Sequence, residues 1–167
     1  MIRKVNPDEE QNVCDLFSRA IAQMIGKGIY QWDEIYPDNQ TLTSDIEKNE
    51  MYGFYQDGTL CGAIVLNEIQ LEPYACVHWS VDDAKPLVVH RLCIHPDFQN
   101  RGIAYALMEF AEAYAEQYGY RSIRLDAFQD NPAALRLYQR LGYMHRGSIS
   151  LRKGTFYCYE KLTTDRR

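Results

Sequence analysis

The stretch "VVHRLCIHPDFQNRGIAYALMEFAEAYAEQYGYRSIRLDAF", Val88 to Phe128, decides the fold. It opens on a short apolar strand that Pro96 ends, passes through a polar turn containing Gly102, and runs into a long amphipathic helix. After Gly119 a second strand, "SIRLDAF", follows. Strand, helix and strand in that order form a βαβ unit, in which the crossover helix covers two parallel strands.

Upstream of this unit, Asn6 or Asp8 can cap a first helix. Val13, Leu16, Phe17, Ala20, Ile21, Met24 and Ile25 recur at three- and four-residue spacing until Gly26 and Gly28 stop it. The aromatic- and turn-rich stretch that follows includes a short second helix around Leu42 to Lys48. "MYGFYQDGTLCGAIVLNEI" reads as two strands around Asp57-Gly58, a dipeptide that accepts the positive φ angles of a tight hairpin. Downstream, "NPAALRLYQRLGY" is a short helix with Asn131 at its N-cap and Pro132 at the first helical position. "HRGSISLRKGTFYCYEKL" then alternates as two strands around Lys153-Gly154. The fold class expected is α/β (α+β), a mixed sheet flanked by helices. No repeat, low-complexity tract or linker interrupts the chain, so a single domain over 1–167 is expected.

The 167 residues are enough to bury a core without disulfides or metal. A hydrophobic content of 46% with 25% charged residues is the balance of a soluble globular protein. The net charge of −5 argues against a sequence-independent nucleic-acid partner, which needs a basic face to displace counterions. The N-terminus "MIRKVNPDEEQ" lacks the apolar region of a signal peptide, and no apolar run approaches membrane-spanning length. A cytoplasmic protein with no membrane partner is therefore expected. Cys14, Cys61, Cys76, Cys93 and Cys158 are scattered, with no CxxC and no histidine at metal spacing, and read as reduced thiols with no metal site.

A helix N-terminus presents unbonded backbone N–H groups and the positive end of the helix dipole, so a glycine-bearing loop there makes an anion site. In "QNRGIA" Gly102 is the close-approach residue, and Gln99 and Arg101 can add donors. The loop has neither the Lys-Ser/Thr pair of GxxxxGK[ST] nor the spacing of GxGxxG, which sets both nucleotide motifs aside. Alone, Gly102 would more readily be read as a turn residue before a surface helix.

Together, "LCIHPDFQNRGIAYALMEFA" and "IRLDAFQDNPAALRLYQRLGY" resemble the acetyl-CoA-binding core of the GNAT superfamily of N-acetyltransferases, whose loop pattern is Q/R-x-x-G-x-G/A. Gln99, Gly102 and Ala104 fit that pattern, Ala104 replacing the commoner glycine; Asn131, Tyr138 and the Leu141-Gly142-Tyr143 ending carry the second block. The resemblance implies a mostly antiparallel sheet with a central splayed parallel pair. It divides the chain into an acceptor-side half 1–86, an acetyl-CoA-binding core 87–143 and C-terminal strands 144–162. It implies that the backbone of Gln99, Asn100, Arg101, Gly102, Ile103 and Ala104 wraps the CoA pyrophosphate, that Leu92, Cys93 and Ile94 pair with the pantetheine arm at a bulge, and that Asn131 contacts the cofactor. Acetyl-CoA is then the co-substrate, with no metal, and a primary amine of a small molecule or peptide is the acceptor.

Direct transfer needs a group to take the ammonium proton, donors to the oxyanion and a proton for the departing thiolate. The resemblance implies Tyr138 for the last role; on spacing alone it would pack with Leu135, Leu137 and Leu141. Asp126 lies in a strand covered on both faces, where a carboxylate is costly unless partnered or working. A salt bridge to Arg124 or another arginine, and a part in deprotonating or positioning the amine, are both open for it. Glu68 and His90, each on a predicted strand, and a water relay are rival bases. Trp32, Tyr30, Tyr36 and Tyr74 are candidates for the acceptor pocket, and Asp33, Glu34, Glu68 and Glu72 for attracting a cation; taken singly, each aromatic reads more readily as core and each acid as part of a solvated face. A non-catalytic CoA-binding module of the same fold, a plain interaction domain and a homodimer through the C-terminal strands are also compatible with the sequence.

Overall fold

The computed structural model describes residues 1–163. Seven strands, β1 (Ile2–Lys4), β2 (Met51–Gln56), β3 (Thr59–Asn67), β4 (Leu87–Ile94), β5 (Ser122–Phe128), β6 (Met144–Leu151) and β7 (Gly154–Leu162), follow the sheet order β1-β2-β3-β4-β5-β7-β6. The recorded pairings are antiparallel except for β4 with β5, which run parallel and join Leu87 to Ile123 and Val88 to Arg124. The helices are α1 (Glu10–Gly26), α2 (Asn39–Glu47), α3 (Ile103–Gln117) and α4 (Pro132–Arg140). Among the described residues no helix is long and apolar enough to cross a membrane.

The chain forms two compact units, Met1–Leu66 with His90–Phe110, and Asn67–Val89 with Ala111–Arg167. In the first, α1 turns Val13, Leu16, Phe17 and Ala20 inward, as their spacing predicts. They share a core with Trp32, Leu42, Ile46, Met51, Ala63, Val65 and Cys93. Trp32 packs its ring 5.6 Å from Phe17 and belongs to this core. The β2–β3 hairpin turns at Asp57 and Gly58, with φ of 50° and 77°, as the dipeptide requires. Asn6 precedes a short 3-10 turn, Pro7–Glu9, before α1 begins.

In the second unit β5 is buried along both faces and pairs with β7 from Ser122↔Leu162 to Phe128↔Phe156. The buried acid of β7, Glu160, accepts from the Ser80 and Val81 N–H groups and from Arg146 Nε, so that charge is satisfied. Asn131 caps α4 by accepting from the Ala134 N–H at 3.3 Å, with Pro132 next in the chain. Of the five cysteines, Cys61, Cys93 and Cys158 are buried, Cys14 is half-buried and Cys76 is exposed.

Candidate active site

In the first unit the site residues lie on β4 and the turn after it. Arg91 interrupts β4 with a φ of 48°, a left-handed conformation that costs a non-glycine residue about 1–3 kcal/mol. Each nitrogen of its guanidinium has a partner. Nε and Nη2 donate to the two oxygens of Asp45 at 2.7 and 2.6 Å, and Nη1 donates to the Tyr36 hydroxyl at 2.7 Å. Beyond it Leu92 and Ile94 are half-exposed and Cys93 is buried, its thiol pKa pushed up by burial. The chain just past the strand is tied to β3 where the His95 N–H donates to the Cys61 carbonyl at 2.8 Å. Gly62 makes that approach possible, since a Cβ there would lie 2.8 Å from Ile94 Cδ1 and 3.1 Å from the Cys93 carbonyl oxygen.

The turn from Gln99 to Ala104 has the geometry of an anion cradle. Asn100 and Gly102 are left-handed, with φ of 62° and 79°. The Gly102 carbonyl accepts the first helical bond of α3, from Ala106. The N–H groups of Ile103, Ala104 and Tyr105 have no protein acceptor among the described residues. Nothing lies within 4 Å of where a Gly102 Cβ would stand, so the space beside these donors is open to a guest. Such a row of N–H groups at a helix start suits an anionic group. The side chains are less free than the sequence suggests. Gln99 Nε2 donates to Gln23 Oε1 on α1 at 2.7 Å, and the Arg101 guanidinium sits 5.1 Å from the Phe98 ring.

In the second unit Asp126 and Tyr138 are brought together. Asp126 makes no salt bridge to Arg124: its Oδ2 accepts from the Tyr74 hydroxyl at 2.5 Å. Burial raises the Asp126 pKa, and the Tyr74 hydrogen bond opposes that only in part. Arg124 turns the other way, donating to Gln70 Oε1 at 2.5 Å and to the Val81 carbonyl, with its guanidinium 4.4 Å from the Trp79 ring. Tyr138 is 6% exposed and packs against Tyr143 and Tyr159. Its hydroxyl has no hydrogen-bond partner among the described residues, and burial, aided by the Asp126 charge, raises its pKa and keeps it a proton donor.

Beside this pair is a cleft of about 900 Å³ walled by residues between Gln70 and Pro86 together with Arg124. Tyr74 belongs both to its wall and to the Asp126 hydrogen bond. The Trp79 indole N–H donates to the Tyr74 carbonyl at 2.9 Å, with the two rings 5.3 Å apart. Glu72 and Asp82 put carboxylates on the same wall.

The rival bases have other partners. Glu68 falls just past the end of β3 rather than on the strand, accepts from the Tyr120 hydroxyl and lies 3.6 Å from Lys85. His90, on β4, is half-buried. Tyr30 and Tyr36 are exposed. Sequence reasoning missed Arg91, although an arginine inside the apolar run "VVHRLCI" was a visible signal. It also missed the bond between Tyr74 and Asp126, 52 residues apart, for which the sequence carries no local signal.

Comparison with known proteins bears on this arrangement. A model of the acetyltransferase (GNAT) family matches residues 16–143. A GNAT-family acetyltransferase from Streptococcus agalactiae superposes with a TM-score of 0.86 at 24% identity, over 99% of this chain and 96% of that one. PaiA N-acetyltransferase from Thermoplasma acidophilum, in complex with coenzyme A, gives 0.74 at 18% identity, over 97% and 98%. The ribosomal-protein-S18-alanine N-acetyltransferase of Escherichia coli gives 0.70 at 16% identity, over 100% and 96%. At these identities the likeness is one of fold.

Proposed function

Because the chain belongs to the acetyltransferase (GNAT) family, whose members use acetyl-CoA, we propose that it is an N-acetyltransferase acting on a primary amine of a small molecule or peptide by direct attack. The observation that carries the cofactor half is the run of N–H groups from Ile103 to Tyr105, without protein acceptors and opening on free space at Gly102. The backbone of Gln99 to Ala104 binds the pyrophosphate there, and the peptides of Leu92, Cys93 and Ile94 hold the pantetheine arm and the thioester. Asn131 is a further cofactor contact.

The neutral amine attacks the thioester carbonyl, backbone N–H groups stabilise the oxyanion, and the CoA thiolate leaves. Tyr138 protonates the thiolate. Its unbonded hydroxyl and raised pKa support this role, because a phenol that stays protonated at neutral pH has its proton to give. Asp126 takes the ammonium proton. A carboxyl whose pKa burial has raised stands closer to working pH, where a general base is most effective. The carboxylates of Glu72 and Asp82 favour a cationic amine in the neighbouring cleft by charge.

The first experiment is thermal unfolding with and without acetyl-CoA, with ATP and NAD as controls. A ligand at a hundred times its dissociation constant adds about 2.7 kcal/mol of stability. A shift with acetyl-CoA alone, followed by thiol release with one or more of a panel of amines, is the expected result. A shift without transfer to any amine would favour a non-catalytic CoA-binding module. No shift at saturating acetyl-CoA would remove the cofactor reading.

A further inference from the structure

We propose that Arg91 is a positioning residue for cofactor binding, its left-handed backbone setting the direction of the peptides of Leu92, Cys93 and Ile94 and its ion pair with Asp45 holding that backbone in place. The inference rests on the reading above, in which those peptides receive the pantetheine arm.

The first support is the residue type. A φ of 48° inside a strand is the conformation for which glycine is the default, since glycine has no Cβ to strain. An arginine there accepts a local cost, and the side chain shows what it gains. All three of its guanidinium nitrogens reach partners within 2.7 Å, two of them as a fork on one carboxylate. The side chains of Arg91 and Asp45 are 11% and 8% exposed, so the pair is shielded from competing water.

The second support is what lies on either side. The recorded parallel ladder to β5 comprises Leu87 and Val88, upstream of the kink. Downstream, the His95 N–H is fixed to Cys61, and the Cys93 carbonyl and the Ile94 side chain lie against Gly62. The three peptides assigned to the cofactor thus run between two anchors, and the ion pair supplies the first. It reaches Asp45 on α2 and Tyr36 in the segment before it.

The test is CoA affinity by titration calorimetry, with thermal unfolding in parallel, on the full chain and its Arg91→Gly, Arg91→Ala and Asp45→Asn variants. Both Arg91 variants should melt lower, because both lose the ion pair. They should differ in binding: Arg91→Gly, which accepts the left-handed backbone but loses the tether, should lose about threefold. Arg91→Ala, whose strand is free to straighten, should lose about tenfold or more. Asp45→Asn, which keeps the arginine but weakens its tether, should fall between them and serves if Arg91→Ala does not fold. Equal CoA affinity in all the variants despite lower melting would reduce Arg91 to a purely structural residue, and equal loss in Arg91→Gly and Arg91→Ala would show that the backbone conformation is not what matters. A wild-type chain that fails to bind CoA would instead overturn the cofactor reading itself.

Discussion

Tyr138 and Asp126 make separable demands on experiment. Tyr138→Phe removes one oxygen from a packed aromatic cluster, so folding and CoA binding should persist while turnover falls by about 100-fold or more, the scale of a lost general acid. Thiol release measured beside calorimetric CoA binding checks it; unchanged turnover would take Tyr138 out of the chemistry. For Asp126 the sign is set by burial. Its folded pKa lies above its unfolded value, so ionisation opposes folding, and the penalty grows as pH rises through that interval. Asp126→Asn, whose amide oxygen can still accept from Tyr74, should therefore melt no lower than the wild type at neutral pH, with any gain shrinking in acid. Its turnover should fall and recover partly at high pH, where more of the amine is already neutral. A variant that melts lower and is equally slowed at every pH would make Asp126 a structural group. The sequence placed Asp126 in a doubly covered strand but gave the choice of partner no purchase. Arg124, its neighbour on the same face by alternation, turns to Gln70 and Val81, and a tyrosine from the 3-10 turn Glu72–Cys76 takes the place that an arginine could have filled.

At the scale of elements, the strands and helices were legible wherever a period and a punctuating residue agreed. The α1 stripe, the Asp57-Gly58 hairpin, the Asn131-Pro132 helix start and the Lys153-Gly154 turn each combine the two. β1 was not foreseen because three residues are too few for alternation to register, and its pairing with Tyr52 to Phe54 is a long-range choice. Nor does the sequence say that Gly62 is wanted for contact rather than conformation. Gly62→Ala should cost about 1–3 kcal/mol, because a Cβ would press on the Cys93 carbonyl, which belongs to the backbone and yields less readily than the Ile94 methyl. It should also weaken CoA binding, since the strand that must give way is the one assigned to pantetheine. Denaturant melts and calorimetry together check both; loss of stability with unaltered CoA affinity would separate the β3–β4 contact from the cofactor.

For the whole molecule, pH tolerance at the acid end depends in part on the N-terminal tie. Arg3 holds the Glu9 carboxyl down to about 2 from 4.5, with help from the Asn6 N–H and the Tyr55 hydroxyl. A depressed carboxyl stabilises the fold above its unfolded pKa and loses that contribution as pH falls through the folded one. Glu9→Gln should therefore melt below the wild type at neutral pH, with the gap closing towards about pH 2; a gap independent of pH would assign the effect to packing rather than charge.

The distribution of the thiols makes the chain its own reporter. Cys76 is the exposed cysteine of the five, Cys61, Cys93 and Cys158 are shut away, and burial raises the pKa of the half-buried Cys14. Cys76 closes the 3-10 turn whose residues Glu72, Tyr74 and Ala75 line the cleft. A maleimide dye given briefly to the native protein will collect at that one position without any engineered cysteine, and its emission can follow what enters the cleft, so that acceptors can be sought by fluorescence before any has been turned over.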